Sequence, residues 1–177
     1  VEENVIEGIS TNVLGTANVA DACRRHGVAV MVLVSTDKAV NPTSIMGVTK
    51  RIAESYCQAQ DMDDDASTTR FVTVRFGNVL GSTGSVVPLF QHQLANGGPL
   101  TVTDREMTRF FMTIREAVEL TLQASALAAG VAGGNNEVPR GNICVLDMGE
   151  PVRIYDLAEQ MIRLAGLVPG RDVAIDI

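Results

Sequence analysis

The 177 residues suffice for one domain and fall short of two of ordinary size, and roughly 70% of the unfolded chain's surface can be buried at that length without disulfides or metals. Apolar residues make up 46% and charged residues 20%, with 16 Gly and 6 Pro, which argues against disorder and fibrous repeats and leaves Val, Ile, Leu and Ala to build a core that has no Trp. A net charge of −7 repels phosphate backbones and argues against nucleic acid as a general partner, and three scattered cysteines without a CxxC fit a reduced, cytoplasmic chain with neither a disulfide framework nor a zinc site.

From Val5 the apolar positions Ile9, Val13, Ala17 and Ala20 step by three or four, so a helix is expected that closes at Gly27 behind Arg24, Arg25 and His26. Residues 28–34 form an unbroken apolar run, the mark of a parallel strand buried on both faces; it is far short of the ~20 residues of a membrane helix. The acidic, polar opening Val1-Glu2-Glu3-Asn4 is no signal peptide, and a chain that starts directly in a helix pattern reads as a piece of a longer protein. The strand run ends in Ser35-Thr36-Asp37-Lys38, Asn41-Pro42 makes a turn, and a second helix is expected over residues 45–60, ended by an acidic, solvated patch at 61–65. Further on come a strand at 71–76, a glycine-rich stretch at 81–84, helical residues at 88–94 and a short strand at 100–103. A helix with capping-box spacing starts at Thr113 and runs through Val118 and Leu122, followed by a loose loop at 130–141, a strand at 142–146 and an amphipathic helix from Ile154 to a stop at Gly166. Strands alternating with helices predict an α/β fold with a parallel sheet.

Ligands of open parallel sheets bind beyond the carboxyl ends of the strands. There the chain places Ser35, Thr36, Asp37 and Lys38, an acid and a base side by side with two hydroxyls; the plain alternative is an Asx-type turn. Lys50 follows Met46 by four residues, on the same helix face, and can swing back toward Thr36 and Asp37. Asn78 again sits just past a strand end, and Arg109 stands among apolar neighbours, where a simple salt bridge is the alternative. His26 and His92 lack partners at metal spacing and read as structural, and most methionines read as core filler.

The ordered stretches Thr11-Asn12-Val13-Leu14-Gly15-Thr16, Ser35 through Pro42, Met46-Gly47-Val48-Thr49-Lys50-Arg51, Arg75 through Gly81, Met107 through Met112 and Asp147-Met148-Gly149-Glu150-Pro151-Val152 carry a resemblance. Together they resemble the extended short-chain dehydrogenase/reductases, and more narrowly the polysaccharide-biosynthesis dehydratases acting on UDP-N-acetylglucosamine. The resemblance implies a Rossmann-like α/β domain, bound NAD or NADP, a UDP-sugar substrate and a homo-oligomer in the full protein. It implies that residues 1–80 are the later part of the Rossmann core and 81–177 mostly a substrate-binding region, with the first βαβ unit and its glycine loop missing. The superfamily's tyrosine is Met46 here, as in a larger, membrane-associated branch of the family, so the full protein is expected either in the cytoplasm or anchored at the inner membrane. A thioether has no proton to relay.

The implied reaction is an internal redox cycle on a hexose: oxidation at C4, loss of water across C5–C6 and hydride return to C6. Thr36 would hold the C4 oxygen, Asp37 would act as acid at the C6 hydroxyl and Lys38 as base at C5, both driven from their solution titration by a dry pocket. Lys50 would bind the nicotinamide ribose and, through a water or a ribose hydroxyl, stand in for the missing tyrosine. Asn12 and Ser35 would lie at the cofactor. Asn78 and Arg109 would bind the substrate diphosphate, and Ser85, Val86, Leu100 and Thr101 the base and ribose. Two rivals remain: a 4-epimerase on the same scaffold, which has no use for an elimination pair, and a non-catalytic fragment.

Overall fold

The structure is a computed structural model that describes residues 1–63, 69–82, 85–131 and 138–177. Its contacts divide the chain into two compact units, one of Val1–Phe76 with Arg115–Leu146, the other of Gly77–Ile114 with Asp147–Ile177.

In the first unit the strands β1 (Val30–Thr36), β2 (Arg70–Phe76) and β7 (Ile143–Val145) form a parallel sheet in the order β1-β2-β7. Val34 pairs with Val74 and Ser35 with Arg75, which brings the two strand ends level. Helix α1 (Val5–Ile9), a π-helical turn (Ser10–Leu14) and α2 (Gly15–Arg25) lead into β1, and α3 (Ile45–Met62) connects β1 to β2. One sheet face closes over Ala20, Leu33, Ala53, Cys57 and Phe71. The other closes over Val72, Val74, Ala124 and Ala128, the alanines coming from α5 (Ile114–Ala128). This is the expected helix-flanked parallel sheet.

Several local expectations are corrected. The run at 28–34 becomes a strand two residues later, and Val34 is 44% exposed rather than buried, because among the described strands β1 pairs only with β2 and no core cluster covers its end. In the first helix the stepping positions Val5 and Ile9 are exposed, and the periodicity is interrupted by the π turn. In α5 the buried positions are Ala117, Ala124 and Ala128, while Val118 and Leu122 face outward. The acidic patch is not all solvated. Asp61 is buried at the end of α3, accepting hydrogen bonds from Arg70 Nε at 3.0 Å, Phe71 N at 2.8 Å and Gly141 N at 2.9 Å; Asp63 pairs with Arg24, and Asp64 and Asp65 lie outside the described residues.

The second unit contains α4 (Val86–Ala95), α6 (Ile154–Leu164) and short strand pairs: β3 (Asn78–Val79) parallel to β6 (Phe111–Met112), β4 (Leu100–Thr101) parallel to β9 (Ile175–Asp176), and β5 (Thr108–Arg109) antiparallel to β8 (Val152–Arg153). Its core is Phe90, Leu100, Val102, Ile154, Ala158, Ile162 and Val173. Burying a side chain the size of Phe90 or Ile162 stabilises the unit by about 1.5–3 kcal/mol each. Gly166, at φ 78°, ends α6 where the sequence places the stop. Of the glycine-rich stretch, Thr83 and Gly84 lie outside the described residues, as do 132–137 of the later loop.

Candidate active site

In the first unit the polar groups gather at the carboxyl end of β1. Thr36 caps the 3₁₀ turn Asp37–Ala39, accepting from the Lys38 N–H, and its hydroxyl donates to Asp37 Oδ1 at 2.8 Å. Lys38 Nζ donates to the same oxygen at 3.3 Å. The Asp37 and Lys38 side chains are 19% and 33% exposed, so neither stands in bulk water. The contact sets the Asp37 carboxyl directly against the Lys38 amine.

Helix α3 begins at Ile45, five residues separating it from this turn. Ser44 Oγ accepts from Gly47 N, and the Glu2 carboxylate accepts from Ile45 N at 3.1 Å and Met46 N at 3.0 Å, so side-chain oxygens take three of the helix's first N–H groups. A glycine is required at position 47: a Cβ there would lie 2.3 Å from the Lys38 carbonyl oxygen and 3.0 Å from Pro42 Cβ. The first turn of α3 therefore rests on the backbone of Lys38. One turn on, Lys50 Nζ donates to the Val34 carbonyl at 3.3 Å. Burial pushes the Lys50 ammonium below the ordinary lysine range, and the Glu54 carboxylate acts against that push.

Two expected cofactor contacts are engaged elsewhere. Ser35 is buried and donates from Oγ to Glu54 Oε1 at 2.6 Å. Asn12 Nδ2 donates to Thr49 Oγ1 at 3.0 Å, and that hydroxyl donates to the Met46 carbonyl at 3.0 Å, a chain that fastens the π turn to the start of α3. For a nicotinamide ribose the residues fit at one point. Lys50 presents its amine at the carboxyl end of a parallel strand, where such ligands lie.

In the second unit a cavity of about 240 Å³ is lined by Asn78, Ser85, Val86, Thr101 and Arg109, five of the six residues expected at the substrate. The sixth, Leu100, is fully buried in the core and is not among the lining residues. Leu89, Val102, Thr103, Met107, Phe111 and Ile154 complete the wall; Met107 and Phe111 fall in the motif stretch 107–112 without having been singled out, and the other four carried no signal in the sequence. The Ser85 hydroxyl is buried and has no hydrogen-bond partner among the described residues. An apolar floor, hydroxyls and amides, and one guanidinium suit a flat polar ring and an anionic group. At roughly 300–1,000 Å³ for whole-ligand pockets, this volume holds part of a ligand. The described residues contain no cluster of metal-ligating side chains and no helix long and apolar enough to cross a membrane.

The family model described as "Polysaccharide biosynthesis protein" matches residues 1–177. The chain is 55% identical over 166 residues to the capsular polysaccharide biosynthesis protein CapD of Staphylococcus aureus, covering 94% of this chain and 26% of that protein. It is 42% identical over 122 residues to the UDP-N-acetylglucosamine 4,6-dehydratase (inverting) of Campylobacter jejuni, covering 68% of this chain and 36% of the dehydratase. To the UDP-glucose 4-epimerase of Rickettsia canadensis it is 43% identical over 119 residues, covering 67% and 35%. Among solved structures, Pen from Bacillus thuringiensis superposes with a TM-score of 0.85 at 34% identity, covering 99% of this chain and 51% of Pen. The chain thus spans about a quarter of CapD and about half of Pen. Its ordered motifs, its helix-flanked parallel sheet and the family match over residues 1–177 agree, and the chain belongs to the polysaccharide biosynthesis protein family of extended short-chain dehydrogenase/reductases.

Proposed function

We propose that this chain is the catalytic portion of a nucleotide-sugar 4,6-dehydratase of polysaccharide synthesis, its first unit supplying the proton chemistry and its second holding the nucleotide diphosphate. The observation that carries the reading is the hydrogen-bonded set Thr36, Asp37 and Lys38 at one strand end, with the Lys50 amine on a carbonyl of that same strand. The NAD-containing solved relatives of this fold support the dinucleotide.

Lys50 would hold the nicotinamide ribose. Held there, NAD or NADP would supply the hydride acceptor for C4 and the hydride donor for C6. The O4 proton leaves toward Lys50 through a bridging water, since the Met46 thioether can neither take nor give one. A half-buried lysine whose pKa is lowered by desolvation is suited to that task. Thr36 must release Asp37 in order to donate to the sugar's C4 oxygen, because its single proton is already engaged there.

Water is lost as Lys38 removes the C5 proton and Asp37 protonates the departing C6 hydroxyl. This step would start from a protonated Asp37 and a free Lys38 amine and leave carboxylate facing ammonium, and the two groups lie 3.3 Å apart. Lys38, whose ammonium protons exchange with solvent, would then give a proton back to C5 as the hydrogen taken from C4 arrives at C6. The proton taken from O4 at Lys50 balances the one Asp37 gave up. In the second unit Arg109 would pair with a phosphate of the substrate, Asn78 would contact the diphosphate, and Ser85, Val86 and Thr101 would meet base and ribose.

The epimerase reading shares the scaffold and is favoured by the Rickettsia relative. It requires no acid at C6, so the Asp37–Lys38 pair argues for elimination. The test is the product made by the full-length protein from a UDP-sugar: a 4-keto-6-deoxy sugar, which absorbs in alkali, supports dehydration. A C4 epimer with no such absorbance overturns it.

A further inference from the structure

Glu54 is a carboxylate that no step of the proposed reaction uses. It is fully buried on the inner face of α3, one turn beyond Lys50. Oε1 accepts from Ser35 Oγ at 2.6 Å and from Arg75 Nε at 2.7 Å; Oε2 accepts from the Arg75 terminal nitrogen and from Arg51 at 3.1 Å. Ser35 and Arg75 are register partners on β1 and β2, so one carboxylate from the helix clasps both strands at the same rung. Thr36 and Asp37 follow Ser35 directly, and Lys50 lies four residues before Glu54 on the same helix face.

A buried ion pair is a poor way to gain stability, since apolar residues of the same volume often do as well or better. What the arrangement supplies is geometry. It fixes the rotation of α3 about its axis and the position of α3 along β1, the two degrees of freedom that set Lys50 against Thr36 and Asp37. The Lys38 carbonyl under Gly47 fixes only the first turn of the helix. The net effect on Glu54 itself agrees: burial raises its pKa, but the donors of Arg75, Ser35 and Arg51 outweigh that and hold the carboxyl ionised below the usual range.

We propose that Glu54 is a positioning residue for the proposed dehydration, acting through Ser35 and the strand ends to keep Lys50 in register with Thr36 and Asp37. This inference rests on the proposed function. Its test uses the full-length protein with Glu54→Gln, Ser35→Ala, the double variant and Lys50→Met, each measured for kcat, KM for the UDP-sugar and Tm. Glu54→Gln is expected to lower kcat by about tenfold to a hundredfold, the cost of a displacement of about 1 Å at a reacting group, with KM held within about twofold. The double variant should be no worse than Glu54→Gln alone, because both changes cut the same linkage. A wild-type kcat in Glu54→Gln despite a lowered Tm, a KM that rises as kcat falls, or fully additive losses would each overturn the proposal. Should Glu54→Gln not fold, Ser35→Ala decides: a kcat loss of about fivefold or more at constant KM supports it, and an unchanged kcat refutes it. Activity surviving in Lys50→Met brings down the proposed function, and this inference with it. A dead Lys50→Met beside an unaffected Glu54→Gln brings down this inference alone.

Discussion

The strand end of the first unit and the cavity of the second are built in opposite ways. At the strand end, polar groups come from consecutive residues and one helix turn, and each is tied to another: Thr36 and Lys38 to Asp37, Ser35 to Glu54, Lys50 to Val34. In the cavity, the wall is gathered from α4, α6 and short strand pairs, and a buried hydroxyl, Ser85, has no partner among the described residues. A preorganised cluster is suited to chemistry, because little beyond the Thr36 hydroxyl has to turn when charge moves. A wall of separate groups with an unsatisfied donor is suited to binding. Substitutions in the first region should therefore act on kcat and those in the second on KM.

Lys50→Met gives the sharpest break, expected to lower kcat of the full-length protein by about 10²–10⁴-fold at neutral pH with little change in KM, as removal of a general base does. Steady-state rates with a UDP-sugar check it, and equal rates would dissolve the contrast. Arg109→Ala should do the reverse. Loss of a charge-assisted contact of about 1.5–3 kcal/mol raises KM by roughly tenfold to a hundredfold with kcat maintained. A fall in kcat at constant KM would move Arg109 into the chemistry.

Asp61→Asn serves as a control for burial without function. It breaks a buried pair with Arg70 and is expected to cost about 3–5 kcal/mol in chemical denaturation while leaving kcat of the folded fraction intact. Burial raises the Asp61 pKa, but Arg70 and the N–H groups of Phe71 and Gly141 overcome it, so the folded carboxyl titrates below its ordinary 3.8. The unfolded chain then binds more protons between the two values. The contribution of Asp61 is complete above the ordinary value and fades as pH falls through the folded one, so the stability difference between wild type and Asp61→Asn should shrink in acid. The smallest effect belongs to Lys50, whose folded pKa lies below 10.5 because of burial. Stability should rise with pH between the folded value and 10.5, where the unfolded chain carries the extra proton, and this slope should vanish in Lys50→Met.

Much of the first region was legible because its information is local. An apolar run ending in Ser35-Thr36-Asp37-Lys38 places four side chains at a strand exit, and the spacing from Met46 to Lys50 places two on one helix face. Glu54 was not legible: on a helix that also carries Arg51 and Gln58, one more glutamate looks like a solvated charge until β1 and β2 close over it. Asp61 escaped for the same reason, hidden at the head of an acidic run. Val34, Val118 and Leu122 failed the other way, apolar residues that periodicity assigns inward and the described neighbours leave exposed. In the second region the motif residues Asn78 and Arg109 were found, whereas Leu89, Thr103 and Ile154 join them in the wall from outside the motif stretches.

Lys38 offers the most direct measurement, since only it is assigned the proton at C5. Wild-type full-length protein turning over a UDP-sugar in deuterated water should place one solvent deuterium at C5 of the 4-keto-6-deoxy product. Lys38→Met should still oxidise C4, seen as the absorbance of reduced nicotinamide, yet neither release water nor exchange C5. Normal turnover with deuterium at C5 in Lys38→Met would contradict the account.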